Sequence, residues 1–175
     1  MTMSPTMQNP FRSQHSVKGQ KYHVEYYECD SFDHLNQDKI RQVYGVCFLN
    51  NTIIIVCHGK KGPWGLVGGS PENNESIDQT LRREVKEESN MEVLSWRPLG
   101  VQVVHEPSGD TIYQLRVYCT VKPYGPFTGD PGGNVQRIKS IDPREYRKYF
   151  NWGKIGEHII QRACLLHGFL LKPHQ

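Results

Sequence analysis

The segment from Gly59 to Asn90 restricts the fold more than any other, because a glycine-rich stretch, Gly59 to Gly69, runs into an amphipathic helix whose ends are legible. Ser76-x-x-Gln79 is a capping box, with Ser76 at the N-cap and Gln79 at N3, and Asp78 favours the positive end of the dipole. Ile77, Leu81 and Val85 recur every four residues and supply the buried stripe. Asn90 falls where the helix should stop, since Asn is the best non-glycine residue for a left-handed C′ position.

On that helix Glu84, Glu87 and Glu88 are spaced by three and four, which places them on one face within a sector of roughly 100°. Glu84 and Glu88 repel as an i,i+4 pair by about 0.2–0.5 kcal/mol. All three lie in the last two turns, where the negative end of the dipole disfavours carboxylates further. Local stability does not choose this arrangement. A hard divalent cation would resolve it, because Mg²⁺ and Mn²⁺ take oxygen ligands and keep waters or substrate phosphates in their other positions. A solvated Glu/Lys face is the other reading, and on the helix alone both stay open. Residues 69–92 hold seven acids and three bases, a net of −4, which leaves +7 on the rest of a chain whose formal charge is +3. An acidic segment in a basic remainder suits an anionic substrate that arrives with a cation.

Around this segment the chain reads as strands and helices in one domain. Residues 1–20 have the composition of a flexible tail, and the domain is expected over 21–175. Lys21 to Glu28 is a strand by its aromatic and β-branched content. Val43–Leu49 and Thr52–His58 form a hairpin about Asn50-Asn51. Leu99–Val104 and Thr111–Val121 are further strands, and Tyr124–Gly133 is a loop. Asp142-Pro143 opens a short helix, and Ile155–Phe169 is a last helix with Ile159, Ala163 and Leu166 inward. Strands interspersed with helices define an α/β or α+β fold with a mixed sheet.

Composition excludes several classes. The five cysteines are an odd count without a C-x-x-C pair, against a disulfide framework or a four-thiolate zinc site. Met1–Pro10 lacks the apolar stretch of a signal peptide, and Ile53–Cys57 is too short to cross a bilayer. A soluble protein with reduced thiols is expected, cytoplasmic and without a membrane partner. The modest charge gives no sign of a nucleic-acid surface.

The stretch Gly69-Ser-Pro-Glu-Asn-Asn-Glu75-Ser-Ile-Asp-Gln-Thr-Leu-Arg-Arg83-Glu84-Val85-Lys-Glu87-Glu88-Ser-Asn-Met91 resembles the Nudix box, G-x5-E-x7-R-E-U-x-E-E-x-G-U with U an apolar residue. Gly69, Glu75, Arg83, Glu84, Val85, Glu87, Glu88 and Met91 fall in register. The fixed identities arise by chance on the order of 10⁻⁸ per start point at average composition. Asn90 stands in place of the last glycine of the box, Asn74 where many members have glycine, and Val67 where proline often precedes the double glycine. Both asparagines are tolerable if the backbone needs positive φ.

The resemblance implies a Nudix-type α/β/α sandwich with a mixed β-sheet. It implies a metal-dependent hydrolase of small-molecule, nucleotide-linked diphosphates. It further implies that Glu84, Glu87 and Glu88 hold Mg²⁺ or Mn²⁺ and that Glu75 supports them. Arg83 would brace the loop–helix–loop by pairing with a box glutamate, and Gly69 would let the backbone turn. A metal held there would lower the pKa of an attacking water. A general base outside the box is sought in Asp130, within the Gly125–Gly133 loop, or in Glu106; failing these, Glu84 or Glu87 takes the proton. Asp130 as a plain loop residue is the other reading.

Other signals have bland counterparts. Trp64 could stack on a base, though packing against the core is the simpler expectation. His58 and His105 could contact phosphate, and Arg97 and Arg116 could grip an anion or belong to an ordinary charged surface. Tyr22, Tyr26 and Tyr27 could face a substrate or a second subunit in a homodimer; strand packing is simpler. Arg144, Arg147, Lys148 and Lys154 could touch RNA, although no recognition motif accompanies them. Two alternatives to a small-molecule hydrolase therefore stand: a non-catalytic sensing or protein-binding module on the same fold, and an RNA-directed cap hydrolase.

Overall fold

Turn chemistry and alternation of apolar side chains build most of a nine-stranded sheet. The computed structural model describes residues 10–169. β1 (Phe11–Val17) and β2 (Gln20–Glu28) form a hairpin about Lys18 and Gly19, which take φ of 50° and 79° as a two-residue turn matching strand twist demands. Here the structure departs from the expectation of a tail to residue 20. Phe11–Val17 pairs with Gln20–Tyr26, Arg12 ion-pairs Glu25 at 2.8 Å, and Phe11 stacks on His158 with ring centroids 3.6 Å apart. A polar strand anchored through one aromatic ring lacks the apolar content by which strands are recognised. Residues 1–9 of the expected tail lie outside the described residues.

β3 (Ile40–Leu49) and β4 (Thr52–His58) turn at Asn50, with φ of 52°. The glycine-rich stretch contains two short strands, β5 (Trp64–Gly65) and β6 (Val67–Gly69), the second pairing with β3. α1 (Ile77–Ser89) follows, then the long hairpin of β7 (Met91–His105) and β8 (Thr111–Pro123). β9 (Val135–Ile141) pairs with β4 and is not anticipated by the sequence, because its apolar residues Val135, Ile138 and Ile141 are spaced by three rather than two. Asp142 caps a 3-10 turn over Pro143–Lys148, and α2 (Gly153–His167) ends at Gly168 in the left-handed conformation.

The main sheet order is β1-β2-β7-β8-β3-β4-β5, antiparallel except where β3 runs parallel to β8. α1 lays Leu81 and Val85 on one face, against Val43, Val56, Leu115 and Val117. α2 lays Ile155, Ile159 and Ile160 on the other, with Phe48, Ile53 and Ile55. Helices on both faces of a mixed sheet make the α/β/α sandwich. Among the described residues no helix is long and apolar enough to cross a membrane.

Candidate active site

The capping box forms as its residues require: Gln79 N–H donates to Ser76 Oγ at 3.2 Å, and Ser76 N–H to Gln79 Oε1 at 2.9 Å. With Leu81 and Val85 fixed in the core, helical spacing decides where the acids go. Glu88, three residues beyond Val85, is drawn into the protein and is only 6% exposed. The Glu84 side chain keeps 13% of its exposure and that of Glu87 keeps 38%. The carboxylates thus line a slope from interior to solvent.

Arg83 binds most of what surrounds them. Its Nε donates to Glu75 Oε1 at 2.7 Å and its Nη2 to Glu75 Oε2 at 2.9 Å, the bidentate fork that suits guanidinium to carboxylate. Nη1 reaches Glu84 Oε1 at 2.9 Å and Glu87 Oε2 at 3.3 Å, and Nη2 also donates to the carbonyl of Ser70 at 3.0 Å. The Arg83 hydrogen bonds pull the Glu75 carboxyl down to about 2. Burial acts the other way on the inner pair. It raises the Glu84 carboxyl against the pull of Arg83, and it pushes Glu88 up to about 8 despite the 2.8 Å bond from Gly68 N–H to Glu88 Oε2.

The two glycines of β6 serve different ends. Gly68 has φ of 143°, and a Cβ there would stand 2.1 Å from the Val43 carbonyl oxygen on β3. Gly69 lies outside the left-handed region, so the expectation that it lets the backbone turn belongs to Gly68 instead. A Cβ on Gly69 would stand 2.4 Å from Glu84 Oε1, so Gly69 is bare to make room for a carboxylate.

Asp130 lies near enough that its charge adds to the upward push on Glu88. Its own oxygens are engaged by its loop: Oδ1 accepts from Gly132 N–H at 2.8 Å, and Oδ2 from Asn134 and Val135 N–H, both at 2.9 Å. The loop is tied to the helix by Asn90, which takes φ of 54° and donates from Nδ2 to the carbonyls of Gly125 (3.2 Å) and Pro126 (2.9 Å). Asn74 also has positive φ, at 65°. Glu106 is in the turn after β7, where its N–H and carbonyl bond Asp110 and Gly109, and its side chain makes no hydrogen bond among the described residues.

The set can be tested against a metal by its chemistry. Among the described residues no three acidic, histidine or cysteine side chains converge on one point, and Arg83 Nη1 holds an oxygen each of Glu84 and Glu87. Glu84 Oε2, Glu87 Oε1 and Glu88 Oε1 accept no protein hydrogen bond there. Carboxylate oxygens free of protein partners are the hard donors that Mg²⁺ or Mn²⁺ takes, so the residues fit such an ion in donor type.

Beyond β6 a pocket of about 370 Å³ opens on the α2 face of the sheet. Trp64 lines it, edge-on to Tyr149 at 5.8 Å between centroids, so it is neither wholly packed nor free. Arg116 lines it too and is 5% exposed, not a surface charge. Alternation along β8 puts it on a polar side, and its burial against Tyr44 of β3 and Gln102 of β7 is announced by no local pattern. Tyr44 joins the two regions: its β6 partner is Gly68, its β8 partner is Arg116, and the charges of Glu84 and Glu88 both act on its hydroxyl. His58 lines the pocket as well, whereas His105 bonds Thr111 at 3.1 Å. Tyr26 and Tyr27 are buried in strand packing. Arg144, Arg147 and Lys148 pair with Asp142, Glu157 and Glu145.

The family model of the NUDIX domain matches residues 39–162, and the chain belongs to the Nudix hydrolase family. Solved structures agree on the fold. A NUDIX hydrolase from Nitrosomonas europaea superposes with a TM-score of 0.59 at 20% identity, covering 73% of this chain and 88% of that one. A pyrophosphohydrolase from Bacillus subtilis gives 0.57 at 17% identity, with 77% and 78% covered, and a NUDIX-family hydrolase from Clostridium perfringens gives 0.58 at 16%, with 75% and 99% covered. A search of curated proteins finds no match.

Proposed function

We propose that the chain hydrolyses the diphosphate bond of a nucleoside diphosphate linked to another moiety, with Mg²⁺ or Mn²⁺ held by Glu84, Glu87 and Glu88. The observation that carries this is the sinking of Glu88 into the protein beside Glu84, next to a glycine left bare for the second carboxylate. A solvated Glu/Lys face would keep all three acids in water and would need no such space. When bound, such an ion would supply charge neutralisation at the phosphates and would lower the pKa of a water.

The chain's own residues then orient and move the proton. Arg83 is a positioning residue: locked to Glu75, it holds Glu84 Oε1 and Glu87 Oε2 in place. With the carboxylate outside the box engaged by its own loop, a box glutamate, Glu84 or Glu87, takes the proton of the attacking water. Asp130, with three N–H groups on its carboxylate, anchors the loop and adds negative potential at Glu88 instead of acting as the base. Buried thiols at all five cysteines suit a reducing, cytoplasmic setting.

The test is product release from a panel of nucleoside diphosphate-linked compounds with Mg²⁺ or Mn²⁺, beside Glu88→Gln. Turnover that the variant loses at least 10²-fold is expected. Turnover equal in the two proteins would overturn the site.

A further inference from the structure

The pocket beside Tyr44 holds a charge that the protein leaves uncompensated. Arg116 donates from Nη1 to the Leu115 carbonyl at 3.1 Å, and from Nη2 to Gln102 Oε1 at 3.2 Å and Gln114 Oε1 at 3.0 Å. All three acceptors are neutral. Its Nε is buried without a partner, and among the described residues it makes no ion pair. The guanidinium lies 5.1 Å over the Tyr44 ring, which offers only partial compensation. Burying a cation without a counter-charge opposes folding, so such a group is informative when it lines a cavity.

Trp64, one of the pocket's lining residues, has further positive charge against its ring. Arg137 and Lys139 of β9 stand 5.3 and 5.6 Å from the Trp64 ring centroid, and neither pairs with an acid among the described residues. Trp64, Trp152 and Tyr44 give the pocket flat apolar walls, while Gln102 and Gln114, also in its lining, hold the guanidinium fork in place. Walls of this kind take a ring, and an uncompensated fork takes a planar or tetrahedral oxyanion.

We infer that this pocket seats the part of the substrate remote from the diphosphate, and that this part is a ring carrying an oxyanion of its own, a phosphate or carboxylate, received by Arg116. The inference rests on the hydrolase reading for its link to a substrate. The anion would neutralise Arg116 where the protein does not, and a ligand lacking it would leave the buried fork unmet. Selection should therefore fall on the anion more than on the ring.

Calorimetric binding without metal tests this apart from turnover. Two pairs of probes differ by one anion: adenosine 3′,5′-bisphosphate against adenosine 5′-monophosphate, for phosphate, and orotidine 5′-monophosphate against uridine 5′-monophosphate, for carboxylate. In at least one pair the more anionic member should bind at least tenfold tighter, and Arg116→Gln should cut that preference below threefold. Trp152→Ala, at a part-exposed position, should weaken both members of the pair alike. Glu88→Gln should leave the preference standing while it removes turnover, so the pocket and the hydrolytic site fail separately. No preference in either pair, a preference that survives Arg116→Gln, or, should that variant not fold, binding unchanged by Trp152→Ala, overturns the inference.

Discussion

Adjacent glycines in β6 should respond to the same substitution in opposite ways. In Gly69→Ala the new methyl stands 2.4 Å from Glu84 Oε1, 2.6 Å from Cδ and 2.8 Å from Oε2. An ordinary carbon–oxygen contact needs about 3.4 Å, so the carboxylate must retreat by roughly 1 Å. It ends a flexible side chain and can do so, giving up the 2.9 Å bond from Arg83 Nη1 at a net cost of about 1–2 kcal/mol. A displacement of that size at a reacting group costs about 10²-fold in rate. In Gly68→Ala the methyl meets backbone, 2.1 Å from the Val43 carbonyl oxygen and 2.8 Å from Tyr44 Cα, at a φ of 143°. Nothing there can swing aside, and a loss of about 4 kcal/mol or more is expected. Thermal unfolding and metal-dependent turnover, measured on both variants, separate the two outcomes. Gly69→Ala should melt within a few degrees of the parent and be nearly inactive; Gly68→Ala should fail to fold or melt far lower. A fully active Gly69→Ala protein would refute the claim that this glycine exists for Glu84.

Three further outcomes follow from the same site. The folded Glu88 carboxyl is raised from 4.5 to about 8, so the metal-free protein should be most stable below pH 4.5 with respect to this group and lose on the order of 3–5 kcal/mol as pH rises to 8. Glu88→Gln should remove that slope and raise the metal-free Tm at pH 8, while divalent ions should restore stability only to the parent; a Tm lowered by the substitution at pH 8 would contradict this. Glu75, held at about 2, works in the other sense, with stability present above pH 4.5 and lost as pH falls toward 2. Arg83→Ala should flatten that acid limb in pH-dependent unfolding, and an unchanged limb would place the stabilisation elsewhere. Asn90→Gly keeps the left-handed conformation but drops the bonds to Gly125 and Pro126, so amide exchange across 125–133 should quicken, with a global loss of about 1 kcal/mol. Exchange equal to the parent would show that the loop is held without them.

How much of this was legible in the sequence depends on the range of the forces involved. The caps of α1, its stripe and the Asn50 turn are set by residues within a few positions of one another, and local spacing exposes them. The resemblance to the Nudix box located the carboxylates, and the two asparagines at box glycine positions kept the positive φ those places need. β1 and β9 were not legible because tertiary pairing stabilises strands whose own pattern is weak. The burial of Arg116 is hidden for a related reason: its neighbours on β8 alternate normally, and the ring it lies over, Tyr44, belongs to a strand far away in the chain. The resemblance makes Gly69 a turn residue, whereas its constraint comes from a carboxylate across space.

The parallel pairing of β3 with β8 carries a consequence for how the chain is made. Cys47 faces Cys119 in that ladder, 72 residues further along, and β3 also supports β6 and, through it, Glu88. A nascent chain that has emerged through α1 holds every carboxylate of the box but not the strand that completes the centre of its sheet. Until Thr111–Pro123 leaves the ribosome, one edge of β3 stays open, and closing so long a loop is slow compared with forming a hairpin. The box is made before the strand that completes its sheet, and the interval between the two is when an exposed apolar strand is most open to aggregation.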